Sequence, residues 1–144
     1  MSFDLEVIGG DLVISSTGDL ATVSGSNKLE QDLIKIAMTP LGGNPLQPWY
    51  GSLVSKTLIG SYLNSSIIFT MAQTQLTSAV ENLQTLQNMQ VASGQQVTPD
   101  EQIASITNIL INRNTVDLRL ISVTIQVLSK AFGQVSTTFT VSNT

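Results

Sequence analysis

The chain has 144 residues, only 11% of them charged, and a formal net charge of −4. This length fits a single domain, residues 1–144, that can bury a core without disulfides or metals. Because cysteine and histidine are absent, the sequence excludes disulfides, Cys/His zinc sites and histidine acid–base catalysis. No apolar run approaches the ~18–20 residues of a membrane span, and the N-terminus lacks the apolar core of a signal peptide, so we expect a soluble protein.

The first 25 residues predict a short β region. Phe3, Leu5 and Val7 alternate with polar residues, and a Gly-Asp-Leu unit occurs at 10–12 and again at 18–20. With turn-forming residues between these units, a hairpin is the economical interpretation. The acidic residues here fit neither an EF-hand nor a nonapeptide calcium repeat, so we expect no metal site.

Residues 27–39 predict an amphipathic helix. Asn27 followed by Glu30 is an N-cap signature, and apolar residues recur at 29, 33, 36 and 37. Pro40 ends this helix because it lacks an N–H group. The loop 40–51 holds Trp49, the only tryptophan, and Tyr50; these aromatic residues either complete the core or face a partner.

Three further helices are predicted after this loop. A short one covers 52–59, and a longer one, about 65–90, carries an apolar stripe from Ile68 to Leu86 at steps of three and four. The third begins at Thr98-Pro99-Asp100-Glu101, a capped start, and continues to Asn112. Its buried face is predicted to contain Ile103, Ile106 and Leu110.

The last thirty residues change to the period-two pattern of strands. Apolar residues alternate over 116–120 and then, in the opposite phase, over 123–127, which predicts a bulge near 121–122. A final strand follows a turn, and in it Val135, Thr137, Phe139 and Val141 alternate with polar residues. The fold class is therefore α+β. The N-terminal and C-terminal hairpins are expected to form one antiparallel or mixed sheet, covered by three or four helices.

The final strand lacks the residues that usually protect a sheet edge. It is uncharged from 134 to 143 and contains no proline. Such a strand either lies inside the sheet or is left open because a partner strand adds to it. The sparse charge of the whole chain favours a subunit packed among others, although a compositional preference for glutamine and serine explains it equally.

Four features, taken in order, resemble a known family. They are an acidic strand pair, Leu-x-Gln-Asp-Leu at 29–33, Met-Thr-Pro-x-Gly at 38–42 and Pro-Trp-Tyr-Gly-Ser-Leu at 48–53. This order is similar to the small, tail-lysozyme-like baseplate wedge proteins of contractile phage tails. These proteins are the sheath initiators, which have relatives in type VI secretion baseplates. Sheath initiators present a C-terminal β-hairpin onto which extended arms of the first sheath ring are laid.

The resemblance implies a structural, non-enzymatic role in the baseplate of a virion, assembled in the host cytoplasm. The implied partners are the tail sheath protein and other wedge and hub subunits, in several copies around a ring, with no cofactor, nucleic acid or membrane. The final strand would contact the sheath, with Val135, Thr137, Phe139 and Val141 as partner-binding residues, whereas Trp49 and Tyr50 would face baseplate subunits. Asp117-Leu118-Arg119 stands where the family has Glu-Pro-Arg. Arg119 is then either a strand residue paired with Asp117 or Glu101, or a contact to a neighbouring wedge subunit.

Two other functions are compatible with the same elements. A soluble adaptor or regulatory protein could use this fold, because fold does not fix function. A carboxylate-based glycoside hydrolase would need two carboxyl groups about 5–10 Å apart around a sugar cleft. Glu30 and Asp32 lie on different sides of one helix and Glu81 is isolated, so the sequence predicts no enzyme.

Overall fold

The computed structural model describes residues 3–8, 11–43, 45–53, 65–113, 116 and 120–142. Within these ranges the elements are β1 (Asp4–Leu5), β2 (Val7–Ile8), β3 (Asp11–Leu12), β4 (Thr22–Val23), α1 (Gly25–Met38), α2 (Ser65–Ala92), β5 (Ile103–Arg113), β6 (Leu120–Ser129) and β7 (Gln134–Ser142). The α+β class is confirmed, but the described residues form two α-helices rather than three or four. The helix predicted at 52–59 lies almost wholly outside the described residues.

The N-terminal region forms two small antiparallel ribbons rather than part of a larger sheet. β1 pairs with β4, and β2 pairs with β3. In the described part of the chain neither ribbon pairs with the C-terminal strands, so the prediction of one combined sheet is wrong. Most apolar side chains of these ribbons are exposed, including 68% of Phe3 and 64% of Ile8. Short strands with so little burial cannot hold their position alone, and they depend on contacts to α1.

Helix α1 buries the predicted apolar face. Leu29, Leu33, Ile36 and Ala37 are all buried. The helix begins two residues before the predicted cap, however, because Ser24 and not Asn27 occupies the N-cap position. At the other end the Ser52 hydroxyl donates to Ala37 O at 2.5 Å, which folds the loop back onto the end of α1. Gly51, with φ +119°, allows this return, because a Cβ there would lie 2.6 Å from Thr39 O.

Helix α2 matches the predicted stripe closely. Its buried apolar residues are Ile68, Ala72, Leu76, Ala79, Val80 and Leu83. They pack on α1 and on β5. The two helices therefore lie side by side on the sheet, α2 against β5 and α1 against β7.

Strand β5 replaces the predicted third helix. The capped start exists, because the Thr98 N–H donates to Glu101 Oε2 at 3.2 Å. It forms only one 3-10 turn, Pro99–Glu101, before the chain becomes extended. The residues after the turn are rich in isoleucine, and β-branched side chains favour a pleated strand over a helix.

Burial within β5 follows the strand period rather than the predicted helical one. Ile109 and Ile111 are buried, whereas Leu110, predicted to be inside, is 41% exposed. Ile103 is buried as predicted. The signature of a helix start was therefore correct only for the turn that it caps.

The C-terminal sheet is antiparallel, with the order β5-β6-β7. β6 lies in the centre and buries alternate residues. Its register with β7 is unbroken from Leu120↔Ser142 to Leu128↔Gln134, so the predicted bulge near 121–122 is wrong. The irregularities lie instead in the pairing of β5 with β6, before Asn108.

Candidate functional site

Strand β7 lies at one edge of the C-terminal sheet. Its only strand neighbour among the described residues is β6. Val135, Thr137 and Val141 are buried, and Phe139 is half-buried against the core. These side chains hold β7 against the chain's own interior, where α1 packs on it. The residues that alternate with them, Ser136, Thr138 and Thr140, are exposed.

Successive residues of β7 direct their backbone N–H and C=O groups alternately to β6 and to the outer edge of the sheet. At the hairpin turn the Ser129 N–H donates to Gly133 O at 2.9 Å. Hydrogen-bonded pairs recur every second residue in an antiparallel ladder, so Val127 and Val135 form the next such pair. The odd-numbered residues of β7 therefore direct their N–H and C=O groups to β6. The even-numbered ones, Ser136 to Thr140, direct theirs to the outer edge.

Glutamine side chains of α2 bond to part of the opposite edge of the sheet, which is formed by β5. Gln87 Nε2 donates to Glu101 O at 2.8 Å, and its Oε1 accepts from the Ile103 N–H at 2.9 Å. One amide thus bonds to the backbone on both sides of a residue, as a neighbouring strand would. Gln84 Nε2 donates to Ile103 O and Gln73 Nε2 to Ile109 O. Side chains of α2 thus bond to Ile103, Ala104 and Ile109 of β5, whereas among the described residues no strand or side chain bonds to the outer edge of β7.

The role of these glutamines could not be predicted from the sequence. In the predicted helix Gln73, Gln84 and Gln87 are polar residues of the face opposite the apolar stripe. Their spacings of eleven and three residues place them on one side of a helix, which is a signal for a shared role. Nothing in that spacing tells which backbone they meet, because β5 itself was predicted to be helical.

A groove of about 890 Å³ opens beside Phe139. Its floor is the side of α1 turned away from the buried face, with Glu30, Ile34 and Met38 among the lining residues. The N-terminal ribbons form the far wall through Glu6, Val7 and Val23. The groove thus separates β7 from the N-terminal strands, in the place where the sequence predicts a continuous sheet.

Two side chains of α1 bond to the N-terminal ribbons and hold them beside the groove. Gln31 Nε2 donates to Leu5 O at 2.8 Å and its Oε1 accepts from the Val7 N–H at 2.9 Å. This amide repeats the arrangement of Gln87 on β5. Lys35 Nζ lies 2.6 Å from Asp4 Oδ2 and 4.0 Å from Asp32 Oδ1. The position of the ribbons therefore depends on one amide and one ion pair.

The pKa values of these groups shift with their surroundings. Partial burial opposes ionisation of Asp4, but hydrogen bonds from Lys35 and the Leu5 N–H outweigh it and lower the pKa of this carboxyl. Burial likewise disfavours the charged form of Lys35, yet the bond to Asp4 raises its pKa. Burial raises the pKa of Asp32, and the attraction of Lys28 offsets only part of this.

The ion pair predicts how docking of the ribbons depends on pH. Asp4 stabilises the folded chain above its unfolded pKa, near 3.8, and this is lost as the pH falls through the lower folded value. Lys35 stabilises below its unfolded pKa, near 10.5, and this is lost as the pH rises through the higher folded value. We expect an Asp4 carboxyl titration by NMR to have its midpoint below 3.8, and Lys35→Met to move it upward. An unchanged midpoint in the variant would contradict the ion pair.

The aromatic pair of the 40–51 loop lies partly in the core. Tyr50 packs against the buried cluster, and burial raises the pKa of its hydroxyl. Trp49 is 38% exposed and meets Tyr50 edge to face, with ring centroids 6.2 Å apart. Of these two residues, Trp49 therefore offers more surface to a partner. The predicted contacts Asp117 and Arg119 lie outside the described residues.

Within the described ranges no three carboxylates lie close enough together to hold a metal ion. Neither of the two described helices is both long and apolar enough to cross a membrane.

The comparisons with known proteins give a likeness in structure. No family model matches the chain, and no curated protein is significantly similar to it in sequence. The crystal structure of a provisionally named tail lysozyme from Geobacter sulfurreducens is similar with a TM-score of 0.60. The match covers 93% of this chain and 97% of that one, at 10% sequence identity. At this identity the likeness shows a common fold.

Proposed function

We propose that this chain is a structural wedge subunit of a contractile phage tail baseplate, and that it initiates tail-sheath polymerisation by accepting a strand at β7. The observation that carries the proposal is the unequal state of the two sheet edges. Glutamines of α2 bond to the edge at β5 at Ile103, Ala104 and Ile109, while no described strand or side chain bonds to the outer edge of β7. The motifs at 29–53 and the fold shared with a protein named as a tail component support the same role.

The proposed mechanism is strand addition to a preformed edge. Ser136, Thr138 and Thr140 each offer one N–H and one C=O to an incoming strand, and these bonds supply affinity. The buried side chains of Val135 and Val141 keep β7 fixed, so little ordering is needed in this chain. Copies arranged around a ring would make weak single contacts collectively firm.

The test is electron microscopy of this chain co-expressed with the tail-sheath protein of the same phage. The wild type should give short sheath-like tubes or rings. Thr140→Pro removes an outward N–H while leaving the ladder to β6 intact, because proline is tolerated at an exposed strand edge. We expect roughly tenfold fewer tubes or a greater loss, which corresponds to at least about 1.4 kcal/mol.

Thr140→Val is the matched control, because it keeps the N–H and a β-branched shape, and it should assemble like the wild type. Equal tube formation by a folded Thr140→Pro variant would refute strand addition at β7. A folded wild type that binds no tail subunit would favour the adaptor alternative. Clearing of peptidoglycan by the wild type, abolished by Glu30→Gln, would favour the hydrolase alternative.

A further inference from the structure

We infer that the groove beside Phe139 receives the inward side chains of the added strand, and that this strand alternates apolar residues and carries a lysine or arginine opposite Glu30. This inference rests on the proposed function and deepens it by stating the chemistry of the partner segment. The partner is an extended arm of another protein.

The position of the groove follows from the geometry of strand addition. A strand paired with the outer edge of β7 would lie about 4.8 Å from it. Every second side chain of that strand would point to the same face of the sheet as Phe139, towards α1. On that face the groove offers Ile34 and Met38 as an apolar floor, and 42% of Met38 is exposed. Apolar residues at alternate positions would bury this surface.

The size of the groove suits a short peptide segment. Its volume of about 890 Å³ lies in the range of roughly 300–1,000 Å³ that encloses small ligands. Its walls belong to three separate sheets, the β7 sheet and the two N-terminal ribbons. A segment seated there would fill the gap between them.

The charge of the groove determines what the segment must carry. Across the described ranges Glu6 and Glu30 have no ion-pair partner, whereas the one basic lining residue, Lys35, is held by Asp4 and Asp32. The available charge is therefore negative. A basic side chain entering beside Glu30 would be attracted, and an acidic one would be repelled at close range.

The same charge argues against a second copy of this chain as the occupant. Pairing of two β7 strands would bring the segment 134–143 of the neighbour to this edge, and that segment has no lysine or arginine. The segment therefore has no positive charge to pair with Glu30. An arm from a different chain, with a basic residue in an alternating pattern, meets both requirements.

The experiment uses the co-expressed tail-sheath protein as the probe. A photo-crosslinking amino acid at Met38 should capture one segment of the sheath protein, identified by mass spectrometry as alternating and containing a basic residue. Glu30→Lys should reduce tube formation at least about tenfold, and reversing the basic residue of the captured segment to glutamate should restore it. Glu81→Lys, an exposed change on α2, is the matched control. Circular dichroism verifies that each variant is folded.

The outcomes separate this inference from the proposed function. If Thr140→Pro abolishes tubes while folded Glu30→Lys has no effect, strand addition stands and the groove inference fails. If Thr140→Pro forms tubes normally, the proposed function fails and the groove inference falls with it. Crosslinks from Met38 to a second copy of this chain, or to an acidic segment, would also overturn the inference.

Discussion

Replacing Glu101 by alanine is expected to lower the free energy of unfolding by about 3 kcal/mol, since bonds to a charged acceptor contribute roughly 1.5 kcal/mol or more each. Glu101 is fully buried. Its carboxylate accepts from the Gly25 N–H at 3.3 Å and from the Thr98 N–H at 3.2 Å. Ser24, at the N-cap of α1, gives no side-chain hydrogen bond. Glu101 therefore satisfies the start of α1 from a turn 76 residues away and places a negative charge at the positive end of the helix.

Urea unfolding followed by circular dichroism measures this effect. Glu81→Ala is the control, because Glu81 is an exposed glutamate on α2, and it should change stability by less than about 0.5 kcal/mol. Glu101→Gln should fall between the two, since the amide keeps one acceptor oxygen. Equal stability of Glu101→Ala and Glu81→Ala would show that the carboxylate does not hold the two elements together.

Replacing Gln87 by leucine is expected to cost a similar amount, about 2–3 kcal/mol, because each buried backbone group left without a partner costs roughly 1–3 kcal/mol. Gln87 is 4% exposed, and it serves both Glu101 O and the Ile103 N–H. Leucine fills the space but bonds to neither group. Oligomers or aggregates should also form, because the start of β5 becomes available for pairing with strands of other copies.

Gln90→Leu provides the comparison on the same helix. The Gln90 side chain makes no hydrogen bond within the described part of the chain, so this change tests the removal of a glutamine from α2 alone. Denaturant midpoints and size-exclusion chromatography measure both effects. A Gln87→Leu variant as stable and as monodisperse as Gln90→Leu would show that Gln87 does not protect the start of β5.

The two helices could be predicted because their burial is periodic along the sequence. Leu29 to Ala37 and Ile68 to Leu83 repeat at helical spacing, and each forms the predicted buried face. β5 could not be assigned in the same way. Its start carries a real helix-capping pattern, and only the isoleucine content downstream favours a strand. The capping pattern correctly predicts the turn Pro99–Glu101, but it does not predict the conformation of the residues that follow.

The candidate site could not be predicted from local sequence patterns, because it depends on contacts between residues far apart in the chain. The final strand and its lack of protecting residues were visible in the sequence, but the position of β7 at an edge depends on which strand is central. The groove depends on the N-terminal ribbons not joining the sheet, and this follows from Gln31 and Lys35 of α1 holding them. The side-chain amides of Gln31 and Gln87 bond to strand backbones as a neighbouring strand would. Such contacts cannot be recognised in a single sequence.

The glutamine bonds at β5 also bear on how many strands the sheet could take. A sheet open on both sides could take one strand on each, and copies could join side by side into an endless ribbon. A strand pairing along the whole of β5 would have to displace the bonds from α2 to Ile103 and Ile109. Under the proposed strand addition each copy would therefore take one strand, at β7, and would mark an end of the polymer. The number of captured arms would then equal the number of copies, and growth would proceed away from them in a single direction.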